Sequence, residues 1–206
     1  MARCVIVGGA KIGNYPFVKG YLKDDDFFIF CDCGLNHTEG LEITPDLIVG
    51  DFDSSPLPET KIETIVLPCE KDDTDTVFAI KEGIKRGFND FLLIGVVGDR
   101  LDHSLVNVYA LLMLQKEGLN AKIIDDFSEM EIVGKETKYV SPDYSYFSLV
   151  NIGGTAKKVT IKNAKYTLEN AKITPEYQYA TSNECIDGKV AEISVGKGCL
   201  LLIKVR

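Results

Sequence analysis

The order of the apolar segments in the first 125 residues constrains the fold more than any other feature of this sequence. Six short apolar runs occur there, at residues 4–7, 27–31, 47–49, 64–67, 91–94 and 121–125. Runs that are short, continuous and apolar are typical of strands that are buried on both faces of a sheet.

Two segments with helical periodicity lie among these strands, residues 74–86 and 102–117, and each is followed by a glycine, Gly87 or Gly118. Glycine after the last turn is the usual end of a helix. The periodicity places these apolar residues on one face of each helix: Val77, Ile80 and Ile84, then Leu105, Val108 and Leu112. Strands that alternate with helices predict a mostly parallel α/β sheet.

The pattern changes after about residue 130. Apolar segments at 131–133, 139–140, 146–150, 158–161, 191–194 and 200–205 are separated by Gly, Pro, Asn and Asp, and no helical period appears. This pattern predicts a small all-β unit. We therefore expect an α/β domain over residues 1–136 and a β domain over residues 137–206.

Composition and charge limit the classes of function that this protein can have. A chain of 206 residues with 45% hydrophobic residues can bury a substantial core, and its net charge of −8 argues against a nucleic-acid binder. An acidic enzyme that binds phosphates is expected to use Mg²⁺ rather than a Lys/Arg cradle. The first apolar run, residues 4–7, is too short for a signal sequence or a membrane span, so we expect a cytoplasmic protein with no membrane partner.

Six cysteines occur, and in a cytoplasmic chain they are expected to be reduced. Cys31 and Cys33 have the spacing C-x-C, with His37 nearby, whereas zinc ribbons and redox motifs use C-x₂-C. Buried, unreactive thiols at a strand end are the favoured interpretation. A metal- or redox-responsive site built from Cys31, Cys33 and His37 is the alternative.

Acidic residues follow the predicted strands, where ligands bind in open α/β sheets. An apolar strand runs into Gly50 and then presents Asp51 and Asp53. Positions i and i+2 of an extended chain point the same way, and a hard cation relieves the repulsion between two such carboxylates. The alternative is a turn in which one aspartate caps a following helix.

Two further motifs open helices. Residues 71–76, Lys-Asp-Asp-Thr-Asp-Thr, precede the first helix, and more acids lie there than capping requires. Residues 94–103 contain Gly95 and Gly98 and then Asp99, Arg100, Asp102 and His103 at the start of the second helix. Glycines allow a nucleotide to approach the backbone, and an arginine fork suits phosphate oxygens. His103 is interpreted as a nucleotide contact or an orienting group.

The sequence contains no Walker A motif, protein-kinase catalytic loop or nucleophile elbow. The acidic residues, rather than a nucleophilic Ser or Cys, are therefore the candidates for its chemistry. Together with residues 31–36, 50–54, 163–168 and 182–184, the acidic motifs resemble those of the thiamine pyrophosphokinases. Two departures from the family pattern are Cys33 and Leu35 in the motif Asp-Cys-Gly-Leu-Asn, and the chain has no tryptophan.

The resemblance implies an N-terminal Rossmann-like α/β domain for ATP and a C-terminal β-sandwich for thiamine. It also implies a homodimer, with thiamine held between the α/β domain of one subunit and the sandwich of the other. The thiamine contacts would be Ser182 and Asn183. The ATP contacts that it implies are Asp32, Gly34, Asn36, Lys71, Asp72, Thr74, Asp99, Arg100 and His103.

The expected reaction is the Mg²⁺-dependent transfer of a diphosphate from ATP, the co-substrate, to the hydroxyl of thiamine, with release of AMP. Such transfers depend on positioning and charge neutralisation. The expected metal ligands are Asp51, Asp53 and Asp75, with Asp72 in support. Asp102 or a metal-linked carboxylate would accept the proton, and Lys71 and Arg100 would hold phosphates.

Besides the cysteine site, two further alternatives to a thiamine pyrophosphokinase remain. The acidic motifs alone do not exclude another Mg²⁺-dependent nucleotide transferase, such as a kinase that releases ADP. A non-catalytic protein that binds or senses thiamine is a second alternative, which the number of carboxylates disfavours.

Overall fold

The computed structural model describes residues 2–53, 58–70, 72–98, 100–186 and 188–206. The chain divides into two compact units, Met1–Asp126 and Phe127–Arg206. This division falls before the boundary expected at residues 136 and 137. The reason is that the strand Ser128–Val133 pairs antiparallel with the C-terminal strand Leu200–Val205, so it belongs to the second unit.

The first unit contains six strands: β1 Cys4–Val7, β2 Phe27–Cys31, β3 Leu47–Gly50, β4 Glu63–Val66, β5 Asp90–Ile94 and β6 Asn120–Ile124. They lie in the order β4-β3-β2-β1-β5-β6, and every pair is parallel. The predicted strands and the parallel α/β sheet are confirmed. Strands β2, β3 and β4 follow β1 toward one edge of this order, and β6 follows β5 on the other side. The strand order therefore reverses between β1 and β5, and open α/β sheets bind ligands at the carboxyl ends of the strands at such a point.

Four α-helices accompany this sheet: α1 Tyr15–Lys19, α2 Thr38–Leu41, α3 Asp75–Lys85 and α4 Leu101–Lys116. A 3₁₀ helix, Asp32–His37, connects β2 to α2. The side chain of Thr74 caps α3 by accepting a hydrogen bond of 3.3 Å from the backbone N–H of Val77. The two helices predicted from periodicity are therefore present, with ends that differ by one residue.

The buried face of α4 is not the apolar face that the periodicity indicated. Leu105 is 50% exposed, whereas Ser104 and Asn107 are buried. Both polar side chains are buried because they bond to the backbone of the loop after β5. Asn107 Nδ2 donates to the Val96 carbonyl at 2.7 Å, and Ser104 Oγ donates to the Arg100 carbonyl at 2.9 Å. The buried face of this helix therefore combines these two hydrogen-bonded side chains with the apolar Ala110, Leu111 and Leu114.

The second unit is antiparallel throughout its sheets. Its strands are β7 Ser128–Val133, β8 Lys138–Val140, β9 Tyr146–Val150, β10 Ala156–Lys162, β11 Leu168–Ile173, β12 Ala191–Lys197 and β13 Leu200–Val205. Strands β7, β13 and β9 pair in that order, and β11, β10, β12 and β8 form a second sheet. Buried residues from both sheets, including Leu149, Val159, Ile193 and Leu202, form one core. The predicted all-β unit is confirmed, with β11 as an additional strand.

No helix in the described part of the chain combines the length and the apolar character that crossing a membrane requires.

Candidate active site

A cavity of about 590 Å³ lies in the first unit, at the carboxyl ends of its central strands. Its lining residues lie in the loop after β1, at the start of the 3₁₀ helix, after β3, after β4, at the start of α3, and in the loop after β5 with the first turns of α4. Five aspartates are among its lining residues: Asp32, Asp51, Asp53, Asp73 and Asp75. The position agrees with the ligand site that the strand order predicts.

Three of these aspartates form a cluster. Carboxylate oxygens of Asp32, Asp51 and Asp75 lie within 4.8 Å of one another, and all three residues are half-buried. They follow β2, follow β3 and open α3, so three separate elements bring them together. We call these residues the carboxylate cluster. Three converging carboxylates form a donor set that suits a hard divalent cation such as Mg²⁺.

Two residues at the cluster have left-handed backbone conformations. Asp32 has a φ of 39° and Phe52 a φ of 53°. Such conformations are uncommon for residues other than glycine, and they concentrate at functional sites. Because Phe52 is left-handed, the chain from Asp51 to Asp53 is not extended, and the expected i, i+2 alignment of these two carboxylates does not occur.

The structure distributes the expected metal ligands differently from the sequence interpretation. Asp51 and Asp75 belong to the carboxylate cluster, and Asp32, expected as an ATP contact, joins them. Asp53 is exposed; it lines the cavity outside the cluster, and its backbone N–H donates to Asp51 Oδ1 at 3.4 Å. Asp72 is exposed and is not among the lining residues.

The surroundings of the neighbouring cysteines favour the thiol over the thiolate. Burial, with Asp75 second, raises the pKa of Cys31 well above its ordinary value, and its Sγ donates to the Asp75 carbonyl at 3.7 Å. Burial and a hydrogen bond to Asp32 raise the pKa of Cys33. Since metals bind the thiolate, this geometry disfavours the cysteine site that was kept as an alternative.

His37 does not join those cysteines. Its Nδ1 lies 2.8 Å from the Tyr15 hydroxyl and its Nε2 lies 3.0 Å from the Ala10 carbonyl. Both ring nitrogens therefore have partners outside any metal site.

Glycines hold the walls of the cavity close to each other. A Cβ on Gly34 would overlap the Val7 carbonyl, and a Cβ on Gly9 would lie 2.6 Å from the Cβ of Cys33. The loop after β1 is therefore in direct contact with the 3₁₀ helix. Cys33, a departure from the family motif, packs on Gly9, so these glycines serve contact between loops as well as ligand access.

Basic residues are also part of the cavity lining. Lys11, Arg100 and His103 line it, and all three are exposed. The guanidinium of Arg100 donates two hydrogen bonds to Asp102, at 2.7 and 3.0 Å, and this contact holds the pKa of Asp102 far below its usual range. A carboxylate with so low a pKa is a weak base, and Asp102 is not among the lining residues.

The remaining predicted nucleotide contacts divide between lining and non-lining positions. Thr74 lines the cavity, whereas Gly34 and Asn36 are not among its lining residues. Lys71 and Asp99 lie outside the described residues. Sequence reasoning did not identify Lys11, Ser104 and Asn107, which all line the cavity. Lys11 could have been found from its place after β1, but no sequence signal marked Ser104 or Asn107.

The two residues that the resemblance assigns to thiamine differ in their surroundings. Asn183 is 2% exposed, and its side chain bonds to the backbone of Tyr166 and Glu184. Ser182 is exposed and left-handed, with a φ of 53°, and its N–H donates to Ser148 Oγ. Ser182 is therefore accessible to a ligand, while the Asn183 carboxamide is occupied by the protein.

Comparison with known proteins gives the family. A model of the thiamin pyrophosphokinase catalytic domain matches residues 18–123, and a model of the thiamin pyrophosphokinase vitamin B1 binding domain matches residues 132–200. A thiamine pyrophosphokinase of Bacillus subtilis strain 168 is 27% identical over 208 residues, which cover 97% of this chain and 96% of the relative.

Solved structures agree. The crystal structure of thiamine pyrophosphokinase from Bacillus subtilis has a TM-score of 0.87 at 24% identity and covers 98% of both chains. That of thiamin pyrophosphokinase from Geobacillus thermodenitrificans has a TM-score of 0.84 at 26% identity, over 99% of this chain and 97% of the other. The chain belongs to the thiamine pyrophosphokinase family of diphosphotransferases.

Proposed function

We propose that this protein transfers the β,γ-diphosphate of ATP to the hydroxyl of thiamine, giving thiamine diphosphate and AMP, with Mg²⁺ required. The observation that carries the proposal is the carboxylate cluster, Asp32, Asp51 and Asp75, at the ligand-binding end of the parallel sheet. The Rossmann-like first unit would bind ATP, and the second unit, as a β-sandwich, would contact thiamine.

The charge of the cavity supports a metal. Five lining aspartates would repel the phosphates of ATP. Asp32, Asp51 and Asp75 would hold Mg²⁺, which would offset the charge of the phosphates when bound. The donor set fits this role because it consists of carboxylate oxygens that converge from three elements.

The chain's own residues would perform the remaining tasks. Lys11, Arg100 and His103 would bind phosphate oxygens, since they bring positive charge or N–H donors to the cavity wall. The thiamine hydroxyl oxygen forms a bond to the β-phosphorus of ATP, and the bond from that phosphorus to the α,β-bridging oxygen breaks. AMP leaves with that oxygen.

The hydroxyl proton needs an acceptor at the cavity. Asp53 is better placed than Asp102, because Asp53 lines the cavity, whereas Asp102 is not among the lining residues and accepts two hydrogen bonds from the Arg100 guanidinium. We assign Asp53 this role. Asp102 would instead orient the guanidinium of Arg100 at the N-terminus of α4.

On the second unit, Ser182 is the proposed thiamine contact. The exposed position and left-handed backbone of Ser182 fit a residue that presents its hydroxyl to a ligand. Asn183 supports it from within the fold through its hydrogen bonds to the backbone of Tyr166.

We also propose that the protein is a homodimer. The first turns of α4 expose four large apolar side chains: Leu101 at 70%, Leu105 at 50%, Val106 at 43% and Tyr109 at 51%. Clustered apolar exposure of this kind is typical of protein interfaces. A second copy of the chain is the occupant that we assign to this face.

The six free cysteines suit a reducing cytoplasm.

The proposal is tested by incubating the purified protein with ATP and thiamine, with Mg²⁺ or with EDTA, and separating the products. Thiamine diphosphate and AMP in equal amounts, formed only with Mg²⁺, would support it. ADP with thiamine monophosphate would instead identify a simple kinase. Thiamine binding without any turnover would favour the sensing alternative.

A further inference from the structure

A chain of hydrogen bonds runs from the interior of the first unit to the wall of its cavity. The Tyr15 hydroxyl contacts His37 Nδ1 at 2.8 Å, and His37 Nε2 contacts the Ala10 carbonyl at 3.0 Å. A carbonyl oxygen only accepts, so Nε2 carries the hydrogen and Nδ1 accepts from Tyr15. Burial lowers the pKa of His37, which is 6% exposed, and this agrees with a neutral imidazole.

The end of this chain, Ala10, is fixed from a second side. Its backbone N–H donates to the Gly95 carbonyl at 2.8 Å. Its Cβ lies 3.0 Å from the position that a Cβ on Gly98 would occupy. Ala10 is thus held between the 3₁₀ helix and the loop after β5, and both carry residues that line the cavity.

The segment that this chain holds, Gly8 to Lys11, is itself part of the cavity lining. His37 closes the same 3₁₀ helix that Asp32 opens, so its bond to Ala10 joins the wall to the element that carries one member of the carboxylate cluster. A purely apolar contact would have filled the space around His37 without specifying the position of the Ala10 carbonyl.

We propose that Tyr15 and His37 are positioning residues for the nucleoside triphosphate: through Ala10 they set the wall formed by Gly8 to Lys11 against the bound phosphates. This inference rests on the proposed function. Neither side chain is assigned a contact with the ligand or a part in the chemical step. Their loss therefore weakens nucleotide binding and leaves the bond-breaking step unchanged.

Gly40 provides a way to disturb the chain from a distance. A Cβ at Gly40 would overlap the ring of Tyr15, so Gly40→Ala must displace that ring and with it the hydroxyl that faces His37. Gly40 lies in α2 and is not among the residues that line the cavity. An effect of Gly40→Ala on nucleotide binding would therefore have to pass through Tyr15.

The test compares Tyr15→Phe, His37→Leu, His37→Gln and Gly40→Ala with the wild type and with the control Tyr21→Phe. Tyr21 lies beside Phe17 in the same apolar cluster but is not part of the hydrogen-bond chain. KM for ATP, KM for thiamine and kcat are measured at saturating Mg²⁺. The affinity for a non-hydrolysable ATP analogue is measured by calorimetry.

Tyr15→Phe, Gly40→Ala and His37→Leu are expected to raise KM for ATP by roughly three- to tenfold, the range that one lost hydrogen bond covers. The expected change in kcat and in KM for thiamine is less than about twofold, which is the kinetic signature of lost uniform binding. His37→Gln, which keeps a neutral donor and acceptor, should recover most of the affinity, and Tyr21→Phe should match the wild type.

Unchanged KM for ATP in the three disruptive variants would overturn the proposal. Equal losses in kcat and in both KM values, without recovery in His37→Gln, would show a general structural role and would also overturn it. If His37→Leu does not fold, Tyr15→Phe and Gly40→Ala decide. If the wild type makes no thiamine diphosphate, the proposed function fails, but calorimetry with the ATP analogue still decides this inference.

Discussion

The side chain of Asn183 binds both backbone groups of Tyr166: the Tyr166 N–H donates to Oδ1 at 3.0 Å, and Nδ2 donates to the Tyr166 carbonyl at 2.8 Å. Oδ1 also accepts from the N–H of Glu184 at 3.0 Å. A residue that the family motif assigns to thiamine is thus a buried support of the second unit. The adjacent Ser182 remains exposed for a ligand.

This difference predicts that Asn183→Ala acts on stability and Ser182→Ala on thiamine binding. Asn183→Ala removes three hydrogen bonds made by a buried side chain and should lower the free energy of unfolding by roughly 2–4 kcal/mol. Ser182→Ala should leave stability within about 0.5 kcal/mol of the wild type and raise KM for thiamine. Urea unfolding and steady-state kinetics measure the two effects. Equal stability losses in both variants would contradict this division of roles.

Lys204 forms a buried ion cluster in the second unit, with Glu129 Oε1 at 2.5 Å and Glu131 Oε1 at 2.6 Å. Burial alone would lower the pKa of Lys204, but the two carboxylates outweigh it and raise that pKa. Lys204→Met leaves both carboxylates buried without this cation, and the free energy of unfolding should fall by roughly 3–5 kcal/mol.

The loss in Lys204→Met should depend on pH. Without the cation, two carboxylates share one buried site, with Lys138 at 3.0 Å from Glu131 as a remaining cation. The repulsion between them costs stability at high pH, and protonation at low pH relieves it. Urea unfolding at pH 8 and pH 5 should therefore show the larger deficit at pH 8. The control Lys165→Met removes an exposed pair with Glu184 and should cost less than about 1 kcal/mol. A deficit equal at both pH values would contradict the prediction.

Thiol reactivity tests the interpretation of the cysteines as inert. Burial raises the pKa of Cys4 to about 12 and that of Cys31 well above its ordinary value, whereas Cys69 is exposed. At pH 8 iodoacetamide should modify Cys69 first, and Cys4 and Cys31 should react only after unfolding, since the thiolate is the nucleophile. Mass spectrometry of peptides measures the order in which the cysteines are modified. Early modification of Cys31 would restore the redox alternative.

The exposed apolar residues in the first turns of α4, Leu101, Leu105, Val106 and Tyr109, predict the effect of a charge introduced among them. Leu105→Glu should convert the dimer to a monomer, because a buried carboxylate at an apolar interface is costly to desolvate. Sedimentation velocity measures the mass in solution. Tyr139→Glu, at an exposed site of the second unit, is the control and should remain a dimer. A monomeric wild type, or an unaffected Leu105→Glu, would contradict the assignment of this face.

The strands of the first unit were predictable from the sequence to within about one residue, because short apolar runs in a parallel sheet are buried on both faces and carry a strong signal. In the second unit β7, β10 and β12 extend two or three residues beyond the predicted bounds. The spacing of Leu105, Val108 and Leu112 indicated the wrong face of α4. The face that is buried joins Leu111 and Leu114 to the polar Ser104 and Asn107, which bond the loop after β5. Strand β11, Leu168–Ile173, was missed because only one of its residues, Ile173, is fully buried.

The candidate site was predictable in composition but not in geometry. Five aspartates of the motifs do line one cavity, as the ends of neighbouring parallel strands require, whereas Asp72 and Asp102 are not among its lining residues. Which of them converge depends on local backbone conformation. The left-handed turns at Asp32 and Phe52 bring Asp32 into the carboxylate cluster and leave Asp53 outside it. Alternation along an extended chain contains no information about such turns.

The most direct test of the carboxylate cluster compares Asp32→Asn with Asp72→Asn. Turnover of ATP and thiamine is measured over a range of Mg²⁺ concentrations, and urea unfolding verifies that both variants are folded. Asp32→Asn should reduce kcat by roughly 100-fold or more and raise the Mg²⁺ concentration needed for half-maximal rate, because it removes a metal ligand. Asp72→Asn should stay within a few-fold of the wild type. Full activity in Asp32→Asn, with the loss falling on Asp72→Asn instead, would contradict the cluster as the metal site.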